Sequence, residues 1–307
     1  MKQTHANNHI NRRDMKVLNL ISFVVNGVIA LLCLIPFLLV LSGSFSSEQA
    51  IREYGFTLFP KAFSLGAYQS VFEKPAIIGR AYLNTIGITL VGTMLAVFLT
   101  SMTAYVLARQ DFPWRNKFSF YFYFTTLFSG GLTPFYILMI RYLHLKNSYW
   151  ALILPCLLSV FNLMMVKNYM RGIPHEMTEA ALIDGCGDFG IYWRIMVPMS
   201  VPVLATIALF VGLGFWNEWY NCMLYIDREE MFTLQYFLYQ KLNNIEAYKK
   251  IISQMGSQSS SMIDAIDIPT QSLKMALTVV VTGPVVLAYP LMQRYFVQGI
   301  TVGAVKG

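Results

Sequence analysis

Polar residues in this chain gather in short intervals between long apolar runs. Six windows of at least 18 residues contain no Asp, Glu, Lys or Arg: 17–47, 81–108, 118–140, 147–166, 195–217 and 275–293. The next longest, 251–263, has 13 residues and is rich in Ser and Gln. A bilayer core of about 30 Å needs about 20 apolar residues as helix. In lipid such spans must be helical, because only a helix satisfies its backbone groups within one segment. The pattern therefore predicts six transmembrane helices. The first window follows Lys2, Arg12, Arg13 and Lys16. It is much longer than the core of a secretory signal, and no clear small-residue cleavage site follows. It is read as an uncleaved first span.

Six spans put both termini on one side. If that side is cytoplasmic, the cytoplasmic segments are 1–16, 109–117, 167–194 and 294–307, with 12 Lys and Arg in 67 residues; the remaining segments hold 11 in 96. The bias agrees with the positive-inside rule. The net charge of +7 is thus a matter of topology rather than nucleic-acid binding. Composition fits: 56% of residues are hydrophobic and 13% charged, about half the charge of a soluble domain.

Residues 48–80 form an outer segment with turn signals at Pro60, Gly66 and Pro75. In span 2, Gly87, Gly92, Ala96 and Ala104 are small enough for a neighbouring helix to approach closely. The stretch "SGGLTP" at 129–134 interrupts span 3. It reads as the end of the span at Ser129 followed by an amphipathic helix on the outer surface. The competing reading is a discontinuous helix lining a substrate path. The segment 221–272 is the longest outer loop, and "SQMGSQSSSM" within it reads as flexible.

The interval 171–198 is "RGIPHEMTEAALIDGCGDFGIYWRIMVP". Pro174 suits a first helical position, Glu176 the first turn and Gly185 a stop. Asp188 can cap a second helix, expected to end before Pro198. Two short helices joined by a Gly-x-Gly turn result. Ile173, Met177, Ala180, Ala181 and Asp184 fall near one face of the first. Such a low-bulk face suits docking in a partner's groove. It equally suits packing on the chain's own spans or lying flat at the bilayer.

The same stretch resembles the EAA loop of binding-protein-dependent ABC importer permeases. The match is carried by Glu179, Ala180, Ala181, Gly185, Ile195 and Pro198, with Val197 where that family usually has Leu. Asp184, Pro202 and the ending "QRYFVQGITVGAVKG" are similar to the carbohydrate-uptake branch, whose type member is the maltose-type inner permease. "SFSSEQAI", "GGLTPFYILMIRYLHLKNSYWALILP" and the long 221–272 loop are closer to permeases for complex oligosaccharides. The resemblance implies an all-α integral membrane protein with the type I ABC importer permease fold. It would have a short cytoplasmic segment 1–16, a six-span domain 17–293 with a cytoplasmic helix-turn-helix coupling loop, and a cytoplasmic tail 294–307.

The resemblance also implies partners in a cytoplasmic membrane: a second permease, two cytoplasmic ATPase subunits carrying ATP and Mg, and an extracytoplasmic sugar-binding protein. Glu179 would make a polar contact to the ATPase, Ala180 and Ala181 a close apolar one alongside Asp184, and Gly185 the turn. The tail, with Gly303, Lys306 and Gly307, would reach the ATPase dimer. Alternation at Ile300 and Val302 suits an extended contact there, against the ordinary alternative of a disordered terminus.

A phosphate-binding loop needs Gly-Lys before Ser or Thr, and the chain has no Gly-Lys. An ATP-driven role therefore requires another subunit, and no cofactor or metal is expected on this chain. Cys33, Cys156, Cys186 and Cys222 lack metal or disulfide spacing, and the four histidines are scattered. No nucleophile–base pair suggests an enzyme. A secondary transporter would want ionisable groups in its spans, which the six windows lack. Another importer solute, such as glycerol phosphate or a peptide, stays open.

For the substrate path the best local stretch is "GFWNEWYN", 214–221. Trp216, Trp219 and Tyr220 are expected on one helical face, with Asn217 beside them. Flat rings and an amide suit the apolar faces and hydroxyl rims of sugars. The plainer alternative is an aromatic belt at the headgroups.

Overall fold

The computed structural model describes residues 12–254 and 270–304. Among these residues the chain is helical, with one isolated backbone bridge between Ser46 and Phe63. It divides into two units, residues 1–73 with 255–280 and residues 74–254 with 281–307.

In the first unit, α1 (Arg12–Ser44) has 33 residues, about 50 Å at 1.5 Å per residue. Its most apolar 18-residue window is exposed throughout among the described residues, whereas Ser42 and Ser44 at its end are buried. The helix α2 (Glu48–Tyr54) is capped by Ser47, whose side chain accepts from Ala50 N at 3.3 Å. The chain then returns to pair Ser47 N with Ala62 O at 2.9 Å and Ser64 N with Phe45 O at 2.8 Å. The short α3 (Gly66–Val71) follows.

Glu48 is 5% exposed and spans the sequence from α2 to the start of the last helix, α15 (Thr270–Ala304). Its carboxylate accepts from Gln271 N (2.9 Å), Ser272 N (3.0 Å), Thr270 Oγ1 (2.9 Å) and Ser272 Oγ (3.1 Å). A helix start leaves its first N–H groups without partners, and a buried carboxylate needs donors. Each need meets the other. Burial pushes the carboxyl group up, but the backbone N–H groups of Ser272 and Gln271 and the two hydroxyls hold it below its ordinary range.

The second unit is built on α4 (Pro75–Ala108), which packs along α8 (Val160–Arg171) and α12 (Val201–Trp216). Small residues on α4 make this possible. A methyl at Gly92 would sit 2.6 Å from Phe215 Cζ, so only glycine admits the ring there. Ala96 and Ala104 are buried as the sequence suggested. Gly87 is not a contact: nothing lies within 4 Å of its added Cβ.

Among the described residues, three helices are each long and apolar enough to cross a membrane: Met15–Ser44, Pro75–Ala108 and Thr270–Leu287. Three bent pairs pass together, giving up to six spans. The pair formed by α5 (Arg115–Leu127) and Leu132–Tyr142 bends by 112°. Gly131, at φ 85°, is the hinge where the second helix, α6 (Leu132–Ile137), begins. The expected end at Ser129 comes two residues earlier, at Leu127. The pair formed by Trp150–Cys156, which opens with α7 (Trp150–Ile153), and α8 bends by 50°. The pair Asp188–Met199 with α12 bends by 79° near Ser200, between Pro198 and Pro202.

The segment expected as one long outer loop is largely structured. It holds α13 (Tyr220–Tyr225) and the 21-residue α14 (Leu234–Gln254). Span 2 pins its first part. Asn84 Nδ2 donates to Glu230 O at 2.8 Å and Phe232 O at 3.1 Å, and Thr85 Oγ1 accepts from Leu234 N at 2.8 Å. Lys146 pairs with Asp227 at 2.7 Å. Most of "SQMGSQSSSM" lies outside the described residues.

Candidate functional site

Between α8 and α12 the chain forms a small helical hairpin. The first arm, α9 (Glu176–Ile183), ends at Asp184, whose N–H donates to Ala180 O at 3.0 Å. Gly185 follows at φ 78°, a conformation that costs side-chain-bearing residues free energy and glycine little. Cys186 N then donates to Ala181 O at 2.9 Å. The second arm starts at Asp188, with Gly187 rather than Asp188 as its cap. It runs as α10 (Asp188–Ile191), a π turn at Tyr192–Met196 and α11 (Val197–Met199). The expected stop before Pro198 is thus bypassed. The wider π turn accommodates the proline, which offers no N–H to the preceding ladder.

The two alanines part company. Ala181 is 6% exposed and packs with Ile191, Tyr192, Met170 and Ile173 in the core beneath the hairpin. The expectation that it touches a partner is therefore corrected: its side chain turns into the chain's own core, while Ala180, about 100° round the helix, is exposed. Ala180, Met177, Glu179 and Asp184 are exposed. Glu179 Oε1 lies 3.0 Å from His175 Nδ1, one turn earlier.

Asp188 has a different task from the expected cap. It forms an ion pair with Arg109, which also binds Asp111 through Nε at 2.8 Å. Arg115 Nη1 donates to Arg109 O at 3.2 Å, and Tyr105 OH to Asp188 O at 3.4 Å. The turn after α4 thereby clasps the start of the second arm. The Asp111 hydrogen bond, with a further one from Asp188, holds Arg109 above its ordinary range despite burial. Arg109 holds Asp111 below the usual carboxylate range. A cleft of about 840 Å³ lies beside the clasp, lined by Arg109, Arg115, Arg171, Ile173, His175 and Glu176 among others.

Sequence reasoning missed the outward apolar residues. Ile183 is 86% exposed and Phe189 66% exposed, with Phe189 stacked parallel to Trp193 at 6.5 Å. Their signal was available: bulky apolar residues inside a polar interval, off the face occupied by Ala181.

At the other end of α12, the expected common face of Trp216, Trp219 and Tyr220 does not form. The helix stops at Trp216, Asn217 closes it, and α13 begins only at Tyr220. Trp216 is half-buried and donates from Nε1 to Val281 O at 3.3 Å. Trp219 and Tyr220 turn outward, in edge contact at 5.8 Å. Glu218, 8% exposed, holds the turn by accepting from Asn221 N at 2.7 Å and Asn221 Nδ2 at 2.9 Å.

The tail is helical through Ala304, so the extended form expected from residue 294 is corrected. Helical continuation satisfies the backbone without a partner strand. Gly303 sits in the last turn; Lys306 and Gly307 lie outside the described residues.

The family model of the binding-protein-dependent transport system inner membrane component matches residues 101–220, which hold the hairpin and the turn at Glu218. Protein LplC of Bacillus subtilis (strain 168) is 36% identical over 97% of this chain and 97% of its own length. The chain belongs to this permease family. Another protein of that organism, the polygalacturonan/rhamnogalacturonan transport system permease protein YtcP, is 39% identical over 91% of this chain and 94% of its own. Among solved structures, a bacterial ABC transporter involved in the import of the acidic polysaccharide alginate contains a chain with a TM-score of 0.74 at 27% identity. That match covers 93% of this chain and 98% of the solved one. As a permease of this family the chain is a multi-pass membrane component of an ABC importer. A secondary transporter is not favoured.

Proposed function

We propose that this permease imports an oligosaccharide across the cytoplasmic membrane, driven by ATP hydrolysed on separate subunits. The carrying observation is the hairpin at 176–199, anchored by its inner face and apolar on its outer one. Ala181 and the Arg109–Asp188 pair fix it to α4, while Met177, Ala180, Ile183 and Phe189 face outward. A surface helix with its apolar side unpartnered is suited to a groove on another protein. That partner is read as a cytoplasmic ATPase, with Glu179 and Asp184 at the polar rim and Gly185 setting the angle between the arms.

On this reading the chain has six spans, each bent pair counting as one, and both termini are cytoplasmic. It works beside a second permease, two ATPase subunits holding ATP and Mg, and an extracytoplasmic sugar-binding protein. The exposed apolar window of α1 is available to the second permease and lipid. Gly303, Lys306 and Gly307 stand near the ATPase. The relative named for polygalacturonan/rhamnogalacturonan transport and the solved importer of the acidic polysaccharide alginate support a saccharide cargo. Trp219, Tyr220 and Asn217 are proposed on its path, with Trp216 in support.

The test is reconstitution. With its partners in vesicles, the chain should accumulate labelled oligosaccharide only when ATP is supplied. Accumulation by the chain alone under a proton or sodium gradient would overturn the reading.

A further inference from the structure

The turn after α12 meets the outer part of the chain at α14. Gln235 and Tyr239 lie one helical turn apart there, and so share a face. Gln235 Nε2 donates to Asn217 Oδ1 at 3.0 Å, and the Tyr239 ring lies 4.7 Å from that of Trp219, tilted by 32°. Trp219, Tyr220 and Tyr239 form one cluster, and each is more than a third exposed.

Three features distinguish this cluster from rings filling a core. First, the Trp219 indole N–H and the hydroxyls of Tyr220 and Tyr239 make no hydrogen bond among the described residues. These exposed polar groups are left for water or a ligand. Second, the polar groups beside the rings are amides, which both donate and accept. Asn217 Nδ2 is spent on Leu213 O at 2.8 Å, and Asn217 Oδ1 holds Gln235, leaving the Gln235 carbonyl for an outside donor. Third, the turn is rigidly supported. Glu218 grips Asn221 with one buried carboxylate, and Thr233 Oγ1 donates to Glu218 O at 2.7 Å.

We propose that Trp219, Tyr220 and Tyr239, with Gln235 and Asn217, form a saccharide-stacking site in which α14 supplies two of the five side chains. The ligand is a pyranose or furanose residue within an oligosaccharide. Its apolar C–H face lies on the rings, and its hydroxyls meet the Gln235 carbonyl and the tyrosine hydroxyls. Such a site reads ring faces rather than charge, so neutral and uronate oligomers both fit. Glu218 is a positioning residue, acting through Asn221 and the turn. The inference rests on the oligosaccharide reading above and adds Tyr239 and Gln235 to it.

The experiment uses the complete transporter in nanodiscs and vesicles. The probes are trisaccharides of galacturonate, arabinose and N-acetylglucosamine. For whichever probe the wild type takes up, Tyr239→Ala should raise KM roughly tenfold, more than it lowers the rate at saturating sugar, the pattern of lost uniform binding. Gln235→Ala should raise KM by a smaller factor, roughly threefold. Tyr239→Phe, which keeps the ring, should restore most of the affinity and guards against misfolding of the alanine variant. In nanodiscs the transported sugar should protect Trp219 and Tyr239 from hydroxyl-radical labelling. Uptake with unchanged KM in both alanine variants and no protection would overturn this inference alone, leaving the rings as a headgroup belt. Absence of ATP-driven uptake of every probe would overturn the oligosaccharide reading and this inference with it.

Discussion

The two ends of α12 (Val201–Trp216) solve the same problem with different chemistry. A carboxylate holds the chain on each side of it: Asp188 clasps the start of the arm that leads to the bend at Ser200, and Glu218 holds the turn that follows. Each also leaves large apolar side chains outside. Before α12 these are Ile183 and Phe189, on a helical hairpin with charged neighbours. After it they are Trp219, Tyr220 and Tyr239, beside amides. Apolar bulk on a helical hairpin suits a protein groove, because it gains by burial in any apolar pocket. Flat rings with amides suit a sugar, which needs a face and hydrogen bonds together. The contrast teaches that exposure alone does not name a partner; the polar neighbours do.

The largest effect should come from Gly185→Val. A β-branched residue held at φ 78° costs about 1–3 kcal/mol. If the strain is relieved by turning the hairpin, ATP-driven uptake should fall roughly five- to hundredfold while sugar protection at Trp219 persists. Loss of both together would break the separation of the two ends.

Next comes Glu218→Ala. It removes the acceptor of Asn221 N and Nδ2, at a cost of about 1–3 kcal/mol. Thermal unfolding should shift down and sugar KM should rise, with cross-linking of the hairpin to the ATPase unaltered. A change in ATPase association instead would show that the two ends are not independent.

The smallest effect is on the clasp. Arg109 depresses Asp111, so the pair's stabilisation is present above the unfolded carboxylate value of about 3.9. It is lost as pH falls through the lower folded value. Asp111 is largely exposed, so the contribution is below about 1 kcal/mol. Asp111→Asn should therefore remove a small stabilisation seen at neutral pH and leave stability near pH 3 closer to that of the wild type. Equal destabilisation at both pH values would contradict the pairing.

Much of this was legible in the sequence because lipid leaves few choices. The charge-free windows overlap the three long apolar helices and the three bent pairs, and "SGGLTP" marked the break at Gly131. Gly185 was legible because a left-handed residue after a helix is a local requirement. What failed depended on three-dimensional direction. Ala180 and Ala181 look alike in sequence, yet only their angular offset decides that Ala181 joins Ile191 and Tyr192 inside. Trp216 and Trp219 have helical spacing, but the helix ends between them because Glu218 captures Asn221. Tyr239 and Gln235 could not be paired with the turn from sequence, since α14 was read as loop. Glu48 capping α15 across more than 200 residues is likewise a tertiary fact.

The most direct measurement places a photoreactive amino acid at position 183, and separately at 181, in the assembled transporter. Irradiation in membranes should cross-link position 183 to the ATPase subunit. The probe at 181 should give no ATPase product, because that side chain faces the chain's own core. Absence of an ATPase product at 183, or a product from 181 and not 183, would contradict the coupling role assigned to the hairpin.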